Sequence, residues 1–158
     1  MQLDAPAREQ TKMQPEQSDV GGLLDEALRV LTATPGVTGG LVATSDGLPL
    51  AVRLRPDHDR DGLAAAAASV GRLVSKAIAE LGRGDFQLAA LDTDRLRLII
   101  APLSLGYLLA VAEADANLGV IAAELANAAK AAERAAAAIS GDDLTEPETE
   151  LTALGGRL

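Results

Sequence analysis

The stretch LAAAAASVGRLVSKAIAELG, residues 63–82, decides the fold because it combines a helical period with two apolar faces of different kinds. Along the first face, apolar side chains recur at three- and four-residue steps, the period of a helix buried along one side. These residues are Leu63, Ala67, Val70, Val74, Ala77 and Leu81. We therefore predict a helix from Leu63 to Gly82 whose first face packs on its own domain.

Beside this face runs a second line in which no side chain is larger than that of serine. Its members are Ala64, Ala68, Gly71, Ser75 and Ala79. A line facing solvent would normally carry Lys, Glu or Gln, whereas small side chains allow another backbone to approach closely. We predict that this line packs on a second body. The alternative is an alanine-rich helix of high helix propensity with no partner.

The composition describes one domain of 158 residues with an aliphatic core. Hydrophobic residues make up 48% and aromatic residues 1%, which suits a flat, two-layer domain better than one built around a deep aromatic pocket. The chain has no cysteine, so we expect a reducing, cytoplasmic location. A net charge of −9 disfavours nucleic acid as a partner. The longest apolar run, residues 98–112, is interrupted and shorter than about 18–20 residues, so we expect no membrane insertion.

Periodicity and turn residues predict the remaining elements. They are a helix from about Gly22, strands Val37–Thr44 and Leu48–Arg53, the central helix, strands Asp85–Leu91, Leu96–Ala101 and Gly106–Ala112, and a final helix from Asn117 to about Ile139. The Asp-Gly pair at positions 46 and 47 predicts a hairpin between the first two strands. The fold class is α+β, a five-stranded antiparallel sheet with the order α-β-β-α-β-β-β-α in a two-layer sandwich.

Several residues are predicted to mark where helices begin and end. Asp59 or Asp61 lies near the start of the central helix, where a carboxylate meets unpaired amides, and Gly82 ends that helix. Asn117 caps the final helix, and Gly141 ends it.

The two ends of the chain differ in composition from the middle. Residues 1–20 contain prolines and polar side chains and are predicted to be disordered. Residues 141–158 form an acidic segment that we predict to be a mobile tail. Its leucines at positions 151, 154 and 158 have helical spacing, so the alternative is an amphipathic segment that docks on a partner.

The element order and three short motifs resemble the roadblock / dynein light chain family, in particular its bacterial and archaeal MglB-like branch. Pro35-Gly36-Val37, followed by the hairpin turn at residues 46–51, resembles the family's first hairpin. The small residues of segment 63–81 resemble its second helix, and Asn117-Leu118-Gly119 resembles the start of its last helix. The likeness covers roughly residues 22–140, and we place a roadblock-like domain at residues 21–140.

The resemblance implies a homodimer. In such proteins the two second helices pack antiparallel, and the third strands pair into one continuous sheet. The implied dimer interface comprises the small residues Ala64, Ala68, Gly71, Ser75 and Ala79 of the second helix and Asp85, Phe86, Gln87 and Leu88 of the third strand. Pairing of the third strand would also remove an exposed sheet edge.

The resemblance further implies a non-enzymatic regulator of a small Ras-like GTPase, which the dimer face bearing the second helices binds. Its partner-binding residues would be Ser69, Arg72, Lys76 and Glu80, which fall together on a helical wheel; the alternative is an ordinary solvated face. A structural adaptor of the same fold, without effect on nucleotide turnover, is the alternative function. Arg72 as an arginine finger is a minor hypothesis, because MglB-like proteins act without one.

Residues with catalytic or metal-binding chemistry are sparse. The chain lacks a phosphate-binding loop of the form GxxxxGK[ST], so it is not predicted to be a GTPase itself. The single histidine, His58, lies among acidic residues, but it lacks the converging ligands of a zinc site, and we interpret it as part of an exposed loop. We expect no cofactor and no metal.

Overall fold

The computed structural model describes the backbone of residues 15–157 and the side chains of residues 20–138. Three helices and five strands follow one another in the predicted order, which is confirmed. They are α1 (Pro15–Thr32), β1 (Val37–Thr44), β2 (Pro49–Arg53), α2 (Arg60–Leu81), β3 (Ala89–Asp92), β4 (Leu96–Pro102), β5 (Gly106–Glu113) and α3 (Leu118–Arg157). Most of the predicted disordered extension, residues 1–14, lies outside the described residues.

The strands form one antiparallel sheet in the order β2-β1-β5-β4-β3, so β1 and β5 are central and β2 and β3 are the edges. Alternate residues of β5 belong to two separate apolar clusters, one on each face. Tyr107, Leu109 and Val111 pack under α2, whereas Leu108, Ala110 and Ala112 pack under α1 and α3. Helices therefore cover both faces, and the predicted two-layer arrangement is wrong: the fold has three layers.

Helix ends lie where the sequence predicts them in three cases. Asp59 caps α2, its Oδ1 accepting a hydrogen bond from the Gly62 amide at 3.1 Å. Gly82 ends α2 in the left-handed conformation, with φ of 65°. Asn117 Oδ1 accepts a hydrogen bond from the Val120 amide at 3.1 Å and caps α3. Local capping chemistry is therefore enough to position these ends.

Three other boundaries differ from the sequence prediction. Helix α1 begins at Pro15, seven residues before the predicted start at Gly22. Proline suits the first position of a helix because its φ is preset and its missing amide would be unpaired there. Helix α3 continues through Gly141 to Arg157. An internal glycine costs only about 1 kcal/mol relative to alanine, and the alanine-rich sequence before Gly141 favours continuation. The side chains of the acidic tail, including its leucines, lie outside the described residues.

Strand β3 spans Ala89–Asp92, whereas the sequence predicts a strand over Asp85–Leu91. Residues 85–88 have no regular secondary structure, because they leave the ladder with β4 that begins at the Ala89–Ile100 pair. The helix-to-strand connection is therefore longer, and the edge strand shorter, than the sequence predicts.

Helix α2 is long and apolar enough to cross a membrane by length and composition alone. In this fold one side of it is buried on the sheet, at Ala64, Ala67, Ala68 and Gly71. The core helix of a folded domain passes the same test, and the packing of α2 on β1 and β5 is of that kind.

Helix α2 approaches the sheet very closely where Gly71 meets Tyr107. A Cβ atom placed on Gly71 would lie 2.6 Å from Cδ1 and Cζ of the Tyr107 ring, far inside van der Waals contact. Tyr107 is itself buried, so its ring has little room to move. Glycine is therefore required at this position by packing, since its φ is not in the left-handed region.

We predict that Gly71→Ala destabilises the protein by about 1–3 kcal/mol, the usual cost of overpacking a core, although alanine is the better helix former. Thermal or urea unfolding measures the change. Gly22→Ala is the matched control, because Gly22 lies within α1 and nothing stands within 4 Å of its added Cβ. An unchanged or raised stability of Gly71→Ala would contradict this packing.

Candidate functional site

The line of small residues on α2 faces the sheet of its own domain. Ala64, Ala68 and Gly71 are buried, and Ser75 is half-buried, whereas Ala79 near the end of the helix is exposed. The three buried residues have no surface left for a second subunit. The structure therefore corrects the sequence interpretation: close backbone approach at this line is made between α2 and its own sheet.

Four residues that the sequence predicts to pack on the core lie instead along one exposed side of α2, next to Leu73; they are Val70, Val74, Ala77 and Leu81. We call Val70, Leu73, Val74, Ala77 and Leu81 the apolar flank. Val70 and Val74 are half-buried, Ala77 is exposed, and Leu73 and Leu81 each expose 69% of their surface. Soluble domains rarely leave so continuous an apolar strip uncovered.

The apolar flank adjoins the side of the sheet that carries β4 and β3. The opposite side of α2 contacts the β1–β2 turn, where a Cβ on Gly47 would lie 3.3 Å from Ala65 Cα. Helix α2 lies over β1 and β5, and β4 and β3 follow β5 in the sheet. The side of α2 that carries the apolar flank therefore faces β4 and β3. Neighbouring residues on this face, from the sheet and from the segment before β3, are half-buried and extend the apolar surface; they are Phe86, Leu91, Leu96 and Leu98.

The two edges of the sheet differ in how they can accept another strand. On edge strand β2, Pro49 has no amide hydrogen, and Leu50 is an extra residue in the ladder, because Val42 pairs with Ala51 while Ala43 pairs with Pro49. A proline and a bulge both hinder pairing at an edge. Edge strand β3 has neither feature, and its ladder with β4 is regular from Ala89 to Asp92. The β3 edge is therefore the one open to a further strand.

The segment before β3, predicted as part of the dimer interface, lies beside that edge. Asp85 and Gln87 are exposed, Phe86 is half-buried against the α2-side cluster, and Leu88 is half-buried against the α1- and α3-side cluster. A cleft of about 520 Å³ separates this segment from α3. The segment thus contacts both layers of the core but leaves its polar side chains free.

An ion pair between Arg97 and Asp92 links strands β3 and β4. Arg97 donates to both carboxylate oxygens of Asp92, at 2.5 and 3.1 Å, and also to the Ala116 carbonyl at 2.9 Å, so one side chain joins edge strand, sheet and the start of α3. Hydrogen bonding from the Arg97 guanidinium lowers the pKa of the Asp92 carboxyl below its usual value. Asp92 and Arg97 are also partners in the β3–β4 ladder, so the ion pair adds a side-chain contact to the backbone pairing at this end of the hairpin.

The four predicted partner-binding residues, Ser69, Arg72, Lys76 and Glu80, are all exposed on the side of α2 away from the apolar flank. We call this set the polar flank. Arg72 Nη1 donates a hydrogen bond to the Ser45 carbonyl in the β1–β2 turn. The structure thus groups these residues as the sequence predicts, and it gives Arg72 a contact within its own domain.

His58 lies in the loop between β2 and α2 and is half-buried. Its Nε2 is 3.3 Å from Thr38 Oγ1 on β1. Within the part of the chain that the structure describes, no three His, Cys, Asp or Glu side chains converge in a group that could hold a metal ion. His58 therefore makes a contact between the loop and the sheet.

The sequence of this chain matches the Roadblock/LC7 domain family over residues 23–113, and the chain therefore belongs to that family. Among solved structures it is similar to the Roadblock/LC7 domain from Streptomyces avermitilis, with 27% identity, a TM-score of 0.61, and coverage of 67% of this chain and 91% of that one. The gliding protein MglB from Thermus thermophilus shares the fold at 21% identity and a TM-score of 0.65, over 73% of this chain and 90% of that chain.

An uncharacterized protein of Methanocaldococcus jannaschii is 26% identical over 108 residues, which is 68% of this chain and 95% of that relative. These similarities confirm the family, the element order and the five-stranded antiparallel sheet. Helix α3 follows the family match, which ends at Glu113.

We predict that Asp92→Asn lowers the thermal stability at pH 7 and has little effect at about pH 2, below the usual range of aspartate pKa values. The pKa of Asp92 is lower in the folded than in the unfolded protein. Its contribution is therefore present above the unfolded pKa and is lost as the pH falls through the folded one. Melting curves at both pH values measure this, with Asp94→Asn as the control in the same turn. Equal effects of the two substitutions at pH 7 would contradict the role of the pair.

Proposed function

We propose that this chain is a cytoplasmic homodimer that binds a small Ras-like GTPase and modulates its hydrolysis of GTP. The observation that carries the proposal is the two-sided character of α2, which has an apolar flank on the side of the open β3 edge and a polar flank on the other. Membership of the Roadblock/LC7 family supports both parts, through the dimer and the partner that the resemblance implies.

The dimer would form by pairing β3 with β3 of a second copy and covering the apolar flanks with each other. Pairing would satisfy the backbone groups on the free side of Ala89–Asp92. Burial of Leu73 and Leu81, each 69% exposed in one chain, would remove apolar surface from water and stabilise the dimer. A standard interface buries about 1,600 Å² in total, and a helix flank with an adjoining strip of sheet is a surface of suitable size.

The polar flank would remain exposed beside this interface, and it is the surface that we assign to the GTPase. Arg72 is already bonded to the Ser45 carbonyl of its own turn, which argues against its insertion into a partner's active site as a finger. Acceleration of hydrolysis would then come from contacts that reposition the GTPase's own groups.

We predict that Ala77→Glu converts the dimer into monomers, because it places two carboxylates in the centre of the proposed interface without changing a buried residue. Sedimentation or light scattering measures the mass. The control is Ala123→Glu on α3, also an exposed helical alanine but on the opposite face of the sheet. Because Ala68 and Gly71 are buried in their own domain, a charge at either position would unfold the protein rather than separate subunits. A dimeric Ala77→Glu protein would contradict the proposed interface.

The GTPase function is tested by mixing the purified dimer with each small Ras-like GTPase encoded in the source genome, loaded with GTP, and following binding and phosphate release. We expect one of them to bind and its phosphate release to accelerate. Binding without acceleration would favour the alternative of a structural adaptor. Absence of binding to every such GTPase, in both nucleotide states, would contradict the proposal.

A further inference from the structure

The cleft between α3 and residues 85–88 has the size of a small-molecule binding site. Its volume is about 520 Å³, and ligand pockets typically enclose about 300–1,000 Å³. The cleft exists because β4 continues to Pro102, whereas its ladder with β3 begins only at the Ala89–Ile100 pair. Ala101 and Pro102 therefore have no β3 partner and line the cleft instead.

Helix α3 forms one wall of the cleft with a single face whose two ends differ. Its lining residues recur at three- and four-residue steps and so share that face; they are Ala126, Ala129, Lys130, Glu133 and Arg134. The alanines come first and leave room beside the helix backbone, and the charged residues follow. Glu133 Oε1 accepts hydrogen bonds from the Ser104 amide at 2.8 Å and from Ser104 Oγ at 3.0 Å. The charged end of this wall therefore lies at the β4–β5 turn.

The opposite wall is apolar, and its backbone is unpaired. Phe86, the one phenylalanine of the chain, and Leu88 both line the cleft and are half-buried. Asp85, Phe86 and Gln87 make no hydrogen bond with another residue in the part of the chain that the structure describes. This wall therefore offers an apolar surface with free amide donors beside it.

Two cations on the α3 wall have no counter-ion. Lys130 and Arg134 are exposed and make no ion pair among the side chains that the structure describes. They are four residues apart on one helix face, and like charges at that spacing destabilise a helix. Glu133 is engaged at the β4–β5 turn, and Glu26, in the neighbouring groove that Arg134 also lines, is paired with Arg29. The lining thus has two cations against one carboxylate, on a chain whose net charge is −9.

We infer that this cleft binds an organic carboxylate of single charge with an apolar body. The Arg134 guanidinium would hold the carboxylate through paired N–H donors, and the Lys130 ammonium would add a second charge-assisted hydrogen bond. The apolar body would lie between Phe86 and Leu88 on one side and the two alanines on the other, where it is removed from water. A monoanion matches the single excess positive charge of the lining. The site lies on the α3 side of the sheet, and the inference does not rest on the proposed function.

The inference is tested with decanoate, a monocarboxylate with a linear apolar chain. Titration calorimetry of the full-length protein, below the micelle concentration, should show saturable binding of one decanoate per chain. Decyltrimethylammonium has a chain of the same length and the opposite charge, and it should bind at least about tenfold more weakly. The net charge of −9 favours cations overall, so preference for the anion has to come from local cations. Absence of saturable decanoate binding, or preference for the cation, would overturn the inference.

Substitutions at the charged end separate local from overall charge. Lys130→Gln and Arg134→Gln should each weaken decanoate binding by about tenfold, because each removes a charge-assisted hydrogen bond. Arg95→Gln is the matched control, since Arg95 is exposed at the other end of β4 and makes no ion pair among the described side chains. It changes the net charge equally and should change the affinity less than about twofold. Equal effects of all three substitutions would overturn the inference.

A substitution at the apolar end tests the place of the ligand's body. Ala126→Leu fills this end without changing a buried residue and should weaken decanoate binding by about tenfold. Ala123→Leu, equally exposed on α3 but outside the cleft, is the control. Ala77→Glu, designed to separate the proposed dimer, should bind decanoate as the wild type does, because one chain supplies the whole lining. Wild-type affinity of Ala126→Leu would overturn the inference and leave the proposed function standing.

Discussion

The contact between α2 and the sheet is the constraint on which the rest of this structure depends. Gly71 lies directly over the Tyr107 ring, and Ala64 and Ala68 continue the same close approach. A helix that sits this near a sheet can place only small side chains beneath it, so its large apolar residues are displaced to one side. The apolar flank is therefore a geometric result of the packing below it. The surfaces available to other proteins follow from that one contact.

Much of the fold could be predicted from the sequence because it is encoded locally. Asp59, Gly82 and Asn117 act within a few residues of their own positions, and each marks a helix end as predicted. The five strands follow from apolar runs separated by turn residues. The start of α1 and the extent of α3 were not predictable in this way, since a proline at a first helical position and a single glycine late in a helix are both compatible with continuation.

The assignment of the two α2 faces could not be predicted correctly, for a physical reason. Small residues permit close approach of any backbone, and the sequence does not state whether that backbone is a neighbouring helix or the domain's own sheet. Ala64 was predicted to contact a second body and Leu81 to pack in the core, but the structure buries Ala64 and exposes Leu81. The polar flank was easier to locate, because charged side chains on one side of a helix face solvent in either arrangement. The bond from Arg72 to Ser45 joins residues 27 positions apart and has no local signal.

The unlike edges of the sheet have a consequence for the size of any assembly built from it. Of the two edges of the described sheet, β3 is the one without a proline or a bulge, so pairing through β3 would leave β2 edges at both outer ends of the joined sheet. Those ends resist further growth. Association through strands is thus self-terminating at a closed pair with twofold symmetry. Two chains joined in this way would have no β3 edge left from which a fibre could grow.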